Sequence, residues 1–317
     1  MAAALTYPEA IVVGALQGVA ELFPVSSLGH SVILPALIGG QWAKDLNVSA
    51  PDSPYLAFVV GLHVATALAL LIFYWRDWVR IVRGLYTSIR HRRIDSADER
   101  LGWMIVLATI PVGIAGLVLD HPFRTILGKP IPATIFLMLN GLMLFAAERL
   151  RRRAAAHSTE PAAVAIADGV YRSASAAGVA DNSPEASDRR LADRSYGSAV
   201  AIGAAQILAL LPGISRSGVT IGAGLFKGLS HEDAARFAFL LATPVILAAG
   251  VLKLPDLMGP QGSGIHGQVL VGSLASGIGA YLSVRFLTRY FETRTLTPFA
   301  IYCLVAGFLS FIWLILH

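Results

Sequence analysis

The sequence predicts an all-α polytopic membrane protein with six transmembrane helices and two re-entrant helix-loop-helix hairpins, arranged as an inverted-topology repeat. Three observations carry that expectation. The chain of 317 residues is 55% hydrophobic and 14% charged, with a mean hydropathy of +0.64, whereas soluble domains carry roughly 25% charged residues. Apolar blocks recur at close to the roughly 20 residues of helix that cross a hydrocarbon core about 30 Å thick. Two more apolar stretches are interrupted in mid-course by proline, glycine and serine.

In chain order, the opening MAAALTYPEA has no basic n-region and no small-residue cleavage site, so no cleaved signal peptide is expected. The first interrupted stretch runs from Ala10 to Gly39 and breaks at Pro24, Ser26, Ser27 and Gly29. Spans follow at Leu56 to Trp75, Leu101 to Leu119 and Ile131 to Ala147. The second interrupted stretch, Ser198 to Phe226, breaks at Pro212, Gly213, Ser215, Ser217 and Gly218. The last spans are Phe237 to Leu252, Val269 to Leu287 and Pro298 to Leu316. Irregular backbone at membrane depth leaves N–H and C=O groups that only protein or a wet cavity satisfies, so each break marks a site.

Short loops rich in arginine stay in the cytoplasm. The loop after the first span holds Arg76, Arg80, Arg83, Arg90, Arg92, Arg93 and Arg100, the loop after the third opens with Arg149, Arg151, Arg152 and Arg153, and the loop after the fifth holds Arg289 and Arg294. The segments Gly40 to Pro54, Asp120 to Pro130 and Lys253 to Gly267 are poor in basic residues and fall outside, as do both termini. The chain then divides into a first repeat, 1–153, and a second, 198–317, each with one hairpin and three spans of opposite sense. Gly14, Gln17 and Pro24 precede the first break as Gly203, Gln206 and Pro212 precede the second. Paired interruptions of this kind place a binding site at the interface of the halves near the midplane. Between them, 154–197 is rich in Ala, Ser and Asp and reads as a disordered cytoplasmic linker. The net charge of +5 sits beside the spans, which argues for topology and against nucleic acid. Cys303, the only cysteine, excludes an intramolecular disulfide and a CxxC site.

The second break, LLPGISRSGVT, holds Arg216, an expensive residue at membrane depth at roughly 2.5 to 3.5 kcal/mol. A phosphate offsets that cost. Gly213 and Gly218 let backbone N–H groups approach an anion, and Ser215, Ser217 and Thr220 add hydroxyls ahead of a helix N-terminus. The competing use of Arg216 is a buried pair with Glu21. In the first break, QGVAELFPVSSLGHS, Gln17 and Glu21 lie four apart on one helical face. A buried carboxylate pairs with a cation or binds a hard metal such as Mg²⁺ or Ca²⁺. Ser26 and Ser27 offer a hydroxyl nucleophile beside His30, a base near neutral pH. Helix capping competes for one serine, and a backbone hydrogen bond competes for His30. His63 and Thr66 read as core residues.

The two motifs resemble those of the undecaprenyl-pyrophosphate phosphatase family associated with bacitracin resistance. The pattern (E/Q)xxxE leading into PxSSxGH stands here as Gln17 to His30, and PGxSRSxxT as Pro212 to Thr220. The likeness continues through His231 to Gly250 and covers most of the chain outside the linker. It implies hydrolysis of the pyrophosphate that depends on a divalent cation, in a cavity open to the outer side of the bacterial inner membrane. It further implies Glu21 and Gln17 near metal and pyrophosphate, Ser27 and His30 at the attacked phosphorus, and Arg216, Ser215, Ser217 and Thr220 on phosphate. Glutamine at position 17 argues against a two-acid metal site, and the linker is longer than the resemblance implies. The expected partners are the polyprenyl pyrophosphate and membrane lipids; the sequence leaves a homodimer open. Inverted repeats with broken helices also carry anions in transporters, so a polyprenyl-phosphate flippase without hydrolysis is the competing reading. The acid-phosphatase-like lipid phosphatases are set aside, because their KxxxxxxRP element is missing.

Overall fold

The computed structural model describes residues 5–46, 54–158, 183–253, 255, 257, 259 and 264–317. In chain order the helices are α1 (Tyr7–Ala20), α2 (Ser27–Ile38), α3 (Gly40–Asp45), α4 (Pro54–Phe73), α5 (Trp75–His91), α6 (Ala97–Leu127), α7 (Pro130–Ser158), α8 (Pro184–Ala192), α9 (Tyr196–Ala205), α10 (Arg216–Phe226), α11 (His231–Leu252), α12 (His266–Thr293) and α13 (Thr297–Leu316). A 3-10 turn over Gln206–Leu210 extends α9. Among the described residues there is no strand. The six expected spans lie in α4, α6, α7, α11, α12 and α13. Five of these are long and apolar enough to cross a membrane, and the pair Phe58–Phe73 and Trp75–His91, bent by 85°, makes up to a sixth.

Local chemistry sets the starts. Thr6 caps α1 in a reciprocal box with Glu9, and Ser230 caps α11 by accepting from the Asp233 N–H at 3.0 Å. The broken stretches become α1–α2, with the break between Ala20 and Ser27, and α9–α10, with the break between Leu210 and Arg216.

The helices pair as a two-fold-related duplication would. The first arm α1 packs on α12, the second span of the second half, and α9 packs on α6, the second span of the first half. The first spans α4 and α11 touch each other, as do the third spans α7 and α13. Glycine makes the arm contacts possible: a Cβ on Gly14 would stand 2.3 Å from the Gly272 carbonyl oxygen, and one on Gly203 would stand 2.0 Å from that of Ala108. Small residues at such crossings let backbones approach where lipid supplies no hydrophobic drive.

Three expectations change. The arginine-rich segment after the first span is the helix α5, not a loop: Ile81, Gly84 and Ser88 are buried on one side while Val79, Val82, Tyr86 and Ile89 are exposed on the other. The helix α6 runs on to Leu127, which shortens the loop expected over Asp120 to Pro130. The stretch read as a disordered linker begins as the end of α7 and ends as α8, whose Ser187, Asp188 and Leu191 are buried; residues 159–182 lie outside the described residues. The order of α8 comes from charge. Asp188 accepts from Arg236 Nε at 2.8 Å and from Arg80 Nη2 at 2.6 Å, and both arginines also reach Asp77, at 2.7 and 2.8 Å. Ion pairs of this burial hold geometry more than they add stability.

Candidate active site

The two breaks face each other and are stitched together. Ser26, the N-cap of α2, has φ of 69°, and its Oγ accepts from the N–H groups of Gly29 and of Gly213, each at 3.2 Å. A non-glycine residue at positive φ is costly and persists only where surrounding bonds hold it. Asn140, at mid-span on α7, bridges both loops: its Nδ2 donates to the Pro24 carbonyl at 3.0 Å and its Oδ1 accepts from the Ser215 N–H at 3.0 Å. The Ser217 hydroxyl donates to the Phe23 carbonyl at 3.1 Å. The irregular backbone is thereby satisfied within the protein.

At the seam Arg216 Nη2 donates to Glu21 Oε1 at 2.7 Å, and Nη1 donates to the Ala242 carbonyl on α11 at 3.2 Å. The second oxygen of Glu21 accepts from Gln17 Nε2 at 2.9 Å and from the Ser27 hydroxyl. His63 on α4 stands 3.6 Å from that same oxygen. Its Nδ1–H donates to the Val59 carbonyl at 2.8 Å, so its Nε2 accepts from Gln17 Nε2 at 3.3 Å.

Glu21, Ser26, Ser27, His63, Gln206, Ser215, Arg216 and Lys253 line one cavity of about 260 Å³. It lies at the seam between the two breaks, walled by α4, α6 and α11. The remaining wall is aliphatic, with Val59, Val60, Val112, Leu210, Val245 and Ile246.

Of the residues singled out in the sequence, Glu21, Ser26, Ser27, Ser215 and Arg216 line this cavity. Gln17 touches it through Glu21. The others serve the scaffold in this arrangement. The Gly213 N–H is taken by Ser26, the Gly218 N–H by the capping Ser215 Oγ at 3.2 Å, and the Thr220 hydroxyl bonds back to the Arg216 carbonyl at 2.7 Å. His30 is turned away from the cavity. Its Nδ1–H donates to the Ser26 carbonyl at 2.7 Å, and its Nε2 accepts from the Tyr302 hydroxyl at 2.8 Å. Thr66 is buried against Ser276 and the Leu62 carbonyl, as a core residue. Cys303 is buried and accepts from Asn140 Nδ2 at 3.3 Å, a packing role.

Four participants escaped the sequence reading. His63 carries a signal, a titratable residue inside a span, but one that a core histidine carries equally. Asn140 is a single amide in a span and belongs to no motif. In the sequence Gln206 stands out only by its place in the repeat, and Lys253 only as the edge of an outer segment.

An all-α bundle of membrane-length apolar helices, with an arginine, a carboxylate and a serine bonded to that carboxylate around one cavity, is a polytopic membrane protein. A family model described as Bacitracin resistance protein BacA matches residues 10–309. The chain is 65% identical, over the whole of both chains, to a protein of Mycolicibacterium paratuberculosis named undecaprenyl-diphosphatase. It is 52% identical to undecaprenyl-diphosphatase 1 of Frankia casuarinae, with 95% of this chain and 96% of that one covered. It is 37% identical to an undecaprenyl-diphosphatase of Granulibacter bethesdensis, with 96% of each covered. The chain belongs to the BacA family of bacitracin resistance proteins.

Proposed function

We infer that this chain hydrolyses undecaprenyl pyrophosphate to undecaprenyl phosphate and inorganic phosphate, which recycles the lipid carrier for cell-wall synthesis and underlies bacitracin resistance. The carrying observation is the meeting of Glu21 and Arg216 at 2.7 Å, beside the Ser27 hydroxyl, in one cavity between the two broken helices. Relatives at 65% identity bear the name of this activity. Catalysis of phosphoryl transfer is chiefly positioning and electrostatics, which is what such a cavity supplies.

The diphosphate enters against Arg216, whose fork exchanges part of its bond to Glu21 for phosphate oxygens. Ser27 Oγ attacks the terminal phosphorus, and its proton passes to Glu21, the carboxylate it already faces. The Oγ–P bond forms as the bridging P–O bond breaks and undecaprenyl phosphate leaves. Water then attacks the phosphoserine, Ser27 recovers a proton, and inorganic phosphate is released. In this reading His30 positions the first break through Ser26 and Tyr302, rather than taking the proton. His63 and Gln17 hold the carboxylate in place. Ser215, Ser217, Gly213, Gly218 and Thr220 shape the loop that presents Arg216 to phosphate.

The donor set fits a divalent cation carried with the substrate. Glu21 is the cavity's one carboxylate, and among the described residues no three His, Cys, Asp or Glu side chains converge on a metal position. Mg²⁺ is commonly bound through one or two carboxylates plus substrate phosphates, and Ca²⁺ also takes oxygen ligands, so Glu21 would hold either. When bound, such an ion offsets the charge on the phosphoryl group.

The arginine-rich helices α5 and α8 and the start of α11 lie at one end of the bundle. The cavity runs along α11 from Val245 to Lys253, toward the other end of that helix. With the arginines in the cytoplasm, the cavity opens to the outer side of the inner membrane and the halves are inverted repeats.

Purified protein in detergent tests the reading. Release of phosphate from a polyprenyl pyrophosphate with Mg²⁺ or Ca²⁺, abolished by chelation, is expected, with phosphoserine trapped by rapid quench in wild type and missing in Ser27→Ala. Absence of phosphate release from folded protein with either ion would sink it and return the flippase reading.

A further inference from the structure

Two carboxamides hold equivalent places in the halves. Gln17 lies three residues after Gly14, and Gln206 three after Gly203, the two glycines on which the arms cross the opposite spans. Their surroundings differ. Gln17 spends its amide on Glu21 and His63. Gln206 is 1% exposed, and among the described residues neither its Nε2 nor its Oε1 meets a hydrogen-bonding partner. The cause lies four residues on: the first half places Glu21 there, and the second half places Leu210. Gln206 nevertheless borders the cavity that holds Glu21 and Arg216, with its amide atoms covered, so a turn of the side chain brings the amide to a ligand there.

A buried amide left without partners is unfavourable, and a ligand or water that completes it removes the cost. We propose that Gln206 is a further binding residue for the diphosphate head of the lipid substrate, which rests on the hydrolase reading above. Its Nε2–H donates to a non-bridging phosphate oxygen. Its Oε1 receives nothing from a deprotonated phosphate, so it accepts from a water carried with the head group. The second half then contributes two donors to the substrate, the Arg216 guanidinium and this amide, while the first half contributes the nucleophile and the proton acceptor.

The test compares wild type with Gln206→Leu, a near-isosteric change that removes the amide. Farnesyl diphosphate and inorganic pyrophosphate serve as probes on full-length protein in detergent. Expected are a rise of about tenfold or more in Kd for both probes, a matching rise in KM for phosphate release with kcat within about threefold, and a Tm no lower than wild type. Unchanged Kd for both probes, whatever the Tm, overturns the proposal: the amide is then completed by water alone. Weakening of farnesyl diphosphate without inorganic pyrophosphate also overturns it, because the contact would be with the chain. Should Gln206→Leu not accumulate in membranes, Gln206→Glu keeps the shape and sets an anion against phosphate. Binding at least as weak is expected from it, and unchanged binding is fatal. If wild type binds farnesyl diphosphate in a Gln206-dependent way yet releases no phosphate, the hydrolase reading fails and the binding role stands.

Discussion

The first break carries Glu21 and the second carries Arg216, yet the two loops are built from the same parts. Each follows an arm whose glycine touches a span of the other half, and each ends in a serine that caps the second arm, Ser26 for α2 and Ser215 for α10. Each also depends on the same amide, because Asn140 holds Pro24 with one end and Ser215 with the other. The backbones differ at the caps, where Ser26 has φ of 69° and Ser215 is extended, and the side chains that face the cavity differ in charge. Each break is held by bonds to the other and to Asn140, while the carboxylate comes from the first and the guanidinium from the second, so the cavity draws its charges from both.

Removing either charge is the largest way to break that division. Glu21→Ala and Arg216→Ala are each expected to lower kcat by roughly 10³-fold or more, the scale seen when a charged group on a transferring phosphoryl is lost. Each single change also strands a buried charge, at about 3 to 5 kcal/mol of stability. The double variant Glu21→Ala with Arg216→Ala separates the effects. Its Tm should recover toward wild type while activity stays lost, as read by phosphate release and thermal denaturation in detergent. Activity regained along with Tm would mean that the pair only holds the fold.

The arms give a second comparison, one that tests the duplication itself. A methyl group on Gly14 meets the Gly272 backbone, and one on Gly203 meets the Ala108 backbone, both far inside contact distance. Gly14→Ala and Gly203→Ala are each expected to cost about 1 to 3 kcal/mol, the range for overpacking. Gly113→Ala on α6 is the control, since a Cβ there meets nothing within 4 Å, and helix propensity favours it by about 1 kcal/mol. A loss at one arm without the other would show that the crossings are not equivalent.

Much of this was legible in the residues, for reasons that also explain what was not. Span length and hydropathy are local properties, so α6, α7, α11, α12 and α13 announce themselves. Proline, glycine and serine in an apolar run mark the breaks, and Glu21 and Arg216 stand out because charge is costly there. The helix α5 was hidden by its arginines, although Trp75, Val79, Val82, Tyr86 and Ile89 recur at helical spacing and are exposed together. Local signals for α8 are confined to its ends, the Ser183 cap followed by Pro184 and Glu185 and the closing Arg189 and Arg190. It is short and carries five polar residues in nine, and it is held by Arg80 and Arg236 from elements distant in sequence. The roles of Asn140, His63 and Gln206 are tertiary in the same sense: a lone polar residue in a span says that it has a partner, not which.

The smallest expected effect concerns His30, where the motif and the geometry point different ways. Both His30 and His63 donate Nδ1–H to the carbonyl four residues earlier, which leaves the lone pair on Nε2. The Nε2 of His63 lies beside the cavity's carboxylate, while that of His30 is filled by the Tyr302 hydroxyl. On the reading proposed above, a histidine so placed steadies the positive-φ turn at Ser26 and leaves the proton to Glu21. Tyr302→Phe should therefore lower kcat by less than about threefold and stability by about 1 kcal/mol, the net worth of one hydrogen bond. General bases contribute roughly 10²- to 10⁴-fold, so if His30 were one, His30→Gln would cost at least the lower figure. In the positioning role it should cost about tenfold or less, with the pH profile of kcat unmoved. A hundredfold loss in His30→Gln, or a displaced profile in Tyr302→Phe, would return the proton to His30 and leave Glu21 as a partner for Arg216 alone.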